Sequence, residues 1–213
     1  MLRETEEMGY KTINGSAEAR FIEKKSEFIG YIRHTETEAE AIAFINEIRA
    51  MHRKATHNCY AYMLRDNNTA RHSDDGEPGG TAGVPIYEVL RKEGLIDVTC
   101  VVTRYFGGIM LGAGGLVRAY TQGAKIAVEA AEILNMCTAV RLCLKLDYSL
   151  YGKIGKTLTD FDVRTEKEDF GADVEITLCI RSEDEHDFTA ALIDLCNGSI
   201  IVKKLEELEY NFG

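Results

Sequence analysis

The sequence predicts an α+β protein of two domains, residues 1–136 and 137–213. Three observations carry this. From Thr138 onward, hydrophobic periodicity alternates between strand and helix in the order βαββαβ, the ferredoxin-like arrangement of two split βαβ units. Residues 76–115 hold ten of the 19 glycines and both prolines, Pro78 and Pro85, so tight turns are concentrated in one stretch of the first part. Charge also divides: up to Asn135 there are 16 basic and 19 acidic residues, a net of −3, and from Met136 there are 9 and 16, a net of −7.

In the first part, Arg20–Ile22 and Phe28–Ile32 suggest an antiparallel pair. Thr35 and Glu38 have capping-box spacing, and Ala41, Phe44, Ile45 and Ile48 then share one helical face. His57–Arg65 is expected as a strand, residues 66–83 as a polar loop, and Val84–Lys92 as a short helix. Asp97–Phe106 is apolar on both faces until Arg104, as a central strand should be. A glycine loop and a long helix, about Leu116–Leu134, follow. In the second part, the strands are 138–146, Val163–Asp169, Ala172–Arg181 and Ile200–Leu208. Ser149 is placed to cap one helix. Ser182 and Glu185 are placed to cap the other, which Asn197-Gly198 ends.

Composition excludes several classes. The 213 residues are 45% hydrophobic and 28% charged, ordinary for a globular chain and too apolar for a disordered one. The N-terminal ten residues lack a signal peptide's apolar core, and no run reaches the roughly 20 apolar residues of a membrane helix. A cytoplasmic location without membrane association is expected. Cys59, Cys100, Cys137, Cys143, Cys179 and Cys196 form no C-x-x-C pair, which favours buried free thiols over disulfides or structural zinc. The net charge of −10 argues against whole-molecule attraction to nucleic acid, though not against a local basic patch.

Two loops carry the candidate chemistry. In G-G-I-M-L-G-A-G-G-L-V-R (107–118) a glycine-rich turn leads from a buried strand into a helix, a geometry that presents N–H groups to an anion or lets strand and helix pack closely. Gly107, Gly108, Gly112, Gly114 and Gly115 form neither a P-loop nor a dinucleotide fingerprint. Arg104 and Arg118 can donate to phosphate, and Tyr105 or Phe106 can stack on a base. Equally, Arg104 can pair with an acid of the other loop while the aromatics fill core. That other loop, H-S-D-D-G-E-P-G-G-T-A-G-V-P from His72, gathers Asp74, Asp75 and Glu77, which can serve as acid–base groups, bind a cation, or shape turns and brace Arg104. His57 shares a strand face with Cys59, Ala61 and Met63. No acyl-transfer or zinc-peptidase motif is present.

S-D-D-G-E-P-G-G-T-A-G-V-P from Ser73, V-V-T-R-Y-F-G-G-I-M-L-G-A-G-G-L-V-R-A-Y from Val101 and K-A-T-H-N-C-Y-A-Y from Lys54 resemble the Impact family, and within it the bacterial YigZ-like members. The resemblance covers nearly the whole chain. It implies a first domain similar to the second domain of ribosomal protein S-five and to domain IV of elongation factor G. It also implies a ferredoxin-like second domain similar to that factor's domain V. The eukaryotic relative regulates translation through an additional N-terminal domain, for which this sequence has no room, so that partnership is not expected.

Two functions follow. One is a non-enzymatic, translation-associated regulator that binds RNA or the ribosome through the glycine-rich face of the first domain. Its site residues would be His57, Asp74, Asp75, Glu77, Arg104, Tyr105, Phe106, Gly107, Gly108, Gly112, Gly114, Gly115 and Arg118, with no cofactor or metal. The alternative is an enzyme or sensor of a small phosphorylated ligand at the same place. An open basic groove around Arg104 favours the first; a pocket of about 300–1,000 Å³ favours the second.

Overall fold

A computed structural model describes residues 9–213. Most of the N-terminal segment read for a signal peptide lies outside the described residues. Two compact units separate, one spanning residues 10–134 and the other residues 135–213.

The first unit contains β1 (Tyr10–Ile13), β2 (Ser16–Glu23), β3 (Ser26–His34), α1 (Glu38–Met51), β4 (His57–Leu64), β5 (Thr69–Ser73), α2 (Gly83–Glu93), β6 (Val98–Tyr105) and α3 (Ala113–Glu129). Its sheet has the order β2-β3-β6-β4-β5 and is antiparallel throughout. The β6 strand lies at the centre, with seven of its eight residues buried, as its two-sided apolar pattern requires. Alternate residues feed two cores. Val101 faces α1 through Phe44, Ile45 and Ile48. Cys100 and Val102 face α2 and α3 through Ile86, Leu90, Tyr120 and Ala124. The α3 helix comes so close to the sheet that a Cβ on Gly123 would lie 2.7 Å from Val102 Cγ1.

Several local expectations are corrected. The α1 capping box is Thr37 with Glu40, two residues beyond the expected pair. Thr35 instead hydrogen-bonds Thr99 in the core at 2.7 Å, and Glu38 accepts from the Tyr62 hydroxyl. The expected loop over 66–83 contains β5, an exposed edge strand whose polar sequence hides its pairing with β4. The α3 helix ends at Glu129 because the chain turns into β7 (Ile133–Leu146), which begins five residues before its expected start.

The second unit has α4 (Tyr148–Asp160), β8 (Arg164–Phe170), β9 (Val174–Arg181), α5 (Glu185–Leu195) and β10 (Ile200–Asn211). The strand order β10-β7-β9-β8 is that of the ferredoxin-like fold expected from the sequence. Val140, Leu142 and Leu144 of β7 pack with Ile154 of α4 and with Phe188 and Leu192 of α5. Neither expected serine cap forms. Asp147 precedes α4, and a short 3₁₀ turn, Ser182–Asp184, precedes α5. All six cysteines are free thiols, four of them buried. Among the described residues, no helix is long and apolar enough to cross a membrane.

Candidate functional site

The site is built on the paired ends of β4 and β6. Antiparallel register sets His57 opposite Arg104, and the acidic loop after β5 folds back over this pair. Asp74 holds that loop shut. One of its carboxylate oxygens accepts from the Ala82 and Gly83 N–H groups (2.9 and 2.8 Å) and the other from Gly80 N–H (2.8 Å). Burial pushes the Asp74 carboxyl up, but these three N–H groups outweigh it and hold it below its ordinary value. Asp75 accepts from Asn58 N–H (2.7 Å) and from Arg49 (2.7 Å). Both aspartates are therefore committed to the scaffold. Among the described residues, no three metal-ligating side chains are gathered.

Glu77 is 8% exposed and Arg104 6%. The Arg104 Nη1 donates to Glu77 Oε1 at 2.6 Å, and the Tyr120 hydroxyl donates to the same oxygen at 2.7 Å. Arg104 is thus neutralised within the protein and does not form an open basic groove, and its Nε–H is buried with no acceptor. His57 directs Nδ1 to the Asp75 carbonyl (2.8 Å), which requires the proton on that nitrogen and leaves Nε2 as an acceptor in the neutral ring. The Nε2 atom lies 3.8 Å from Glu77 Oε2. Burial raises the Tyr120 phenol strongly, so it remains a donor to Glu77. Burial likewise raises the neighbouring Cys59 thiol, keeping it protonated and a poor nucleophile.

His57, Glu77 and Arg104 line one side of a pocket of about 370 Å³, within the range of ligand sites. Its walls include Pro78, Phe106, Met110, Leu111 and Leu116, with Gly112 and Ala113 at the start of α3. Phe106 is 49% exposed, and the Arg104 guanidinium lies 5.5 Å from its ring centre. No side chain caps α3, so its positive end opens here.

His57, Glu77, Arg104, Phe106 and Gly112 thus line one pocket. Tyr105 does not join them; its hydroxyl bonds His52 Nδ1 at 2.8 Å, and its ring packs with the α1-side core. Arg118 and Gly115 line an adjoining hollow with Phe21 and Lys24, and Leu111 borders both hollows. Gly107 is structural: a Cβ there would overlap the Lys25 backbone, and its N–H donates to Ser26 Oγ. Gly108 and Gly112 take positive φ (82° and 71°) in the loop, and Gly114 lies in the first turn of α3. The wall residues Met110, Leu111 and Leu116, and the donor Tyr120, are not among the expected site residues, although Met110, Leu111 and Leu116 all lie within the glycine-rich segment 107–118.

The fold and this site define a two-domain α+β protein with a pocket in its first domain. The Impact N-terminal domain matches residues 24–128, and a domain of unknown function, DUF1949, matches residues 144–199. The IMPACT family member YvyE of Bacillus subtilis is 36% identical over 92% of this chain and 91% of its own length. The IMPACT family member YigZ of Escherichia coli is 35% identical over 86% of this chain and 92% of its own. A crystal structure of a hypothetical protein superposes with a TM-score of 0.59 at 32% identity, covering 93% of this chain and 98% of that one. The chain belongs to the IMPACT family.

Proposed function

We propose that the chain is a non-enzymatic RNA-binding protein that takes one unstacked base into the pocket of its first domain. The observation that carries this is an apolar pocket with an exposed Phe106 at its wall, beside cations that make no ion pair among the described residues. Single-stranded RNA is commonly read by splaying out a base, stacking it on an aromatic ring and bonding its edge. Lys24, Lys25 and Arg118 are exposed and make no ion pair among the described residues. The Lys25 backbone lies against Gly107, and Lys24 and Arg118, with Glu23, line the hollow next to the pocket. These cations suit phosphates on either side of a seated base.

Arg104 forms no open basic groove and the pocket of about 370 Å³ is bounded, and by the criterion set from the sequence both observations favour the second reading, a free nucleotide or similar small phosphorylated ligand. Fluorescence anisotropy of the full chain with a labelled single-stranded RNA, competed by mononucleotides, separates the two. RNA binding that Phe106→Ala weakens by about 1–3 kcal/mol, the usual worth of one stacked base, is the expected result. No RNA binding at low salt, or indifference to Phe106→Ala, rejects the RNA reading.

A further inference from the structure

We infer that the outer edge of β2 pairs with the same edge of a second copy of the chain, joining two first-unit sheets across a twofold axis. This surface shares no residue with the pocket and does not rest on the base-binding reading. Sheet edges are ordinarily blunted against such pairing. The edge strands β5, β8 and β10 show this: β5 has only five residues, and β8 and β10 each break register along their length. Strand β2 is different. It runs for eight residues in unbroken register with β3 and contains no proline. Among the described residues, no strand pairs with its outer side.

The register decides which backbone groups face outward. The His34 N–H donates to the Gly15 carbonyl at 2.9 Å, so the alternate residues Ala17, Ala19, Phe21 and Glu23 bond to β3. Ser16, Glu18, Arg20 and Ile22 therefore turn N–H and C=O to the open side. An antiparallel pair about a twofold axis must set these outward residues against one another. With the axis at Ala19, Glu18 lies opposite the partner's Arg20, and Arg20 opposite the partner's Glu18, two pairs of opposite charge. A slip of two residues either way sets Glu18 against Glu18, or Arg20 against Arg20. On the strand's other face, the Ala19 register brings Phe21 opposite the partner's Ala17, a large side chain against a small one; both pack against the core beneath α3. The two charges are available. Glu18 makes no ion pair among the described residues, and Arg20, with its side chain 73% exposed, approaches Glu27 only to 3.9 Å. The charges on β2 thus oppose generic edge pairing and fit a second copy in one register.

Sedimentation equilibrium of the full chain over a wide concentration range tests this. The parent should show a monomer–dimer equilibrium. Glu18→Arg alone, or Arg20→Glu alone, puts two like-charge pairs into each dimer and should weaken association roughly tenfold or more. The two substitutions made together restore opposite charges across the axis and should return association to near the parent's level. Both positions are exposed, so all three variants should unfold with the parent's melting temperature. In the parent, hydrogen exchange at high protein concentration should add protection at the Glu18, Arg20 and Ile22 amides. A chain that stays monomeric at millimolar concentration overturns the proposal. So does a dimer that the single reversals leave intact, or one that the double reversal fails to restore.

Discussion

At the level of single residues, the acidic loop shows how one motif divides its labour. Asp74 and Asp75 build the loop, and Glu77 alone reaches the pocket. Asp74→Ala removes a carboxylate that satisfies three backbone N–H groups and should cost about 2–3 kcal/mol at neutral pH, measured by urea unfolding. Because the folded carboxyl is held below its ordinary value, its stabilisation is present above the unfolded pKa of roughly 3.9 and is lost as pH falls through the folded one. The gap between parent and Asp74→Ala should therefore narrow in acid; a gap that persists undiminished would reject the assignment. Arg104 was legible as the residue to watch, and its pairing with an acid of the other loop was one of its two readings; what the sequence did not show is which of the three acids, Glu77 rather than Asp74 or Asp75, folds over it. Arg104→Ala leaves Glu77 buried without its counter-ion and should destabilise by about 3–5 kcal/mol. Tyr120→Phe, which removes one donor to the Glu77 carboxylate but leaves its counter-ion, should cost about 1.5–3 kcal/mol. Equal losses for the two would contradict the ion-pair account.

Among the elements, legibility followed the strength of the periodic pattern. Strand β6 and the ferredoxin-like order were readable because buried strands and amphipathic helices leave long, regular signatures. Strand β5 was not, since an exposed edge strand buries too little to mark its T-A-R-H-S sequence. Caps failed for a different reason. Thr35 and Thr37 are each followed three residues later by a glutamate, and the core decides between them by taking Thr35 for its bond to Thr99. Thr37→Ala should accordingly cost about 1 kcal/mol through loss of the α1 cap, visible as reduced hydrogen-exchange protection in the first turn of that helix. Thr35→Ala should destabilise through the sheet and leave that turn's protection unaltered relative to its neighbours. The walls of the pocket escaped notice because Met110 and Leu111 look like loop filler until α3 is placed against β6.

For the whole molecule, the sign of the salt dependence is the decisive measurement. A chain of net charge −10 repels RNA at long range, and added salt would screen that repulsion and strengthen binding. Local contacts act in the opposite direction. If Lys24, Lys25 and Arg118 each neutralise one phosphate, the logarithmic salt slope for a single strand is about −2, and affinity should fall roughly 20-fold between 50 and 200 mM salt. Replacing Lys24 and Lys25 together by alanine leaves one such contact, and the same interval should then cost only about threefold. Both lysines are exposed, next to one another in the tight turn between β2 and β3, where each takes positive φ (45° and 65°). Alanine tolerates that turn less well than glycine does, so the pair Lys24→Gly and Lys25→Gly is the control that removes charge while easing the backbone. Both double variants should show the same shallow slope. Affinity that rises with salt in the parent would mean that the field of the whole molecule governs the encounter and that these cations do not touch phosphate.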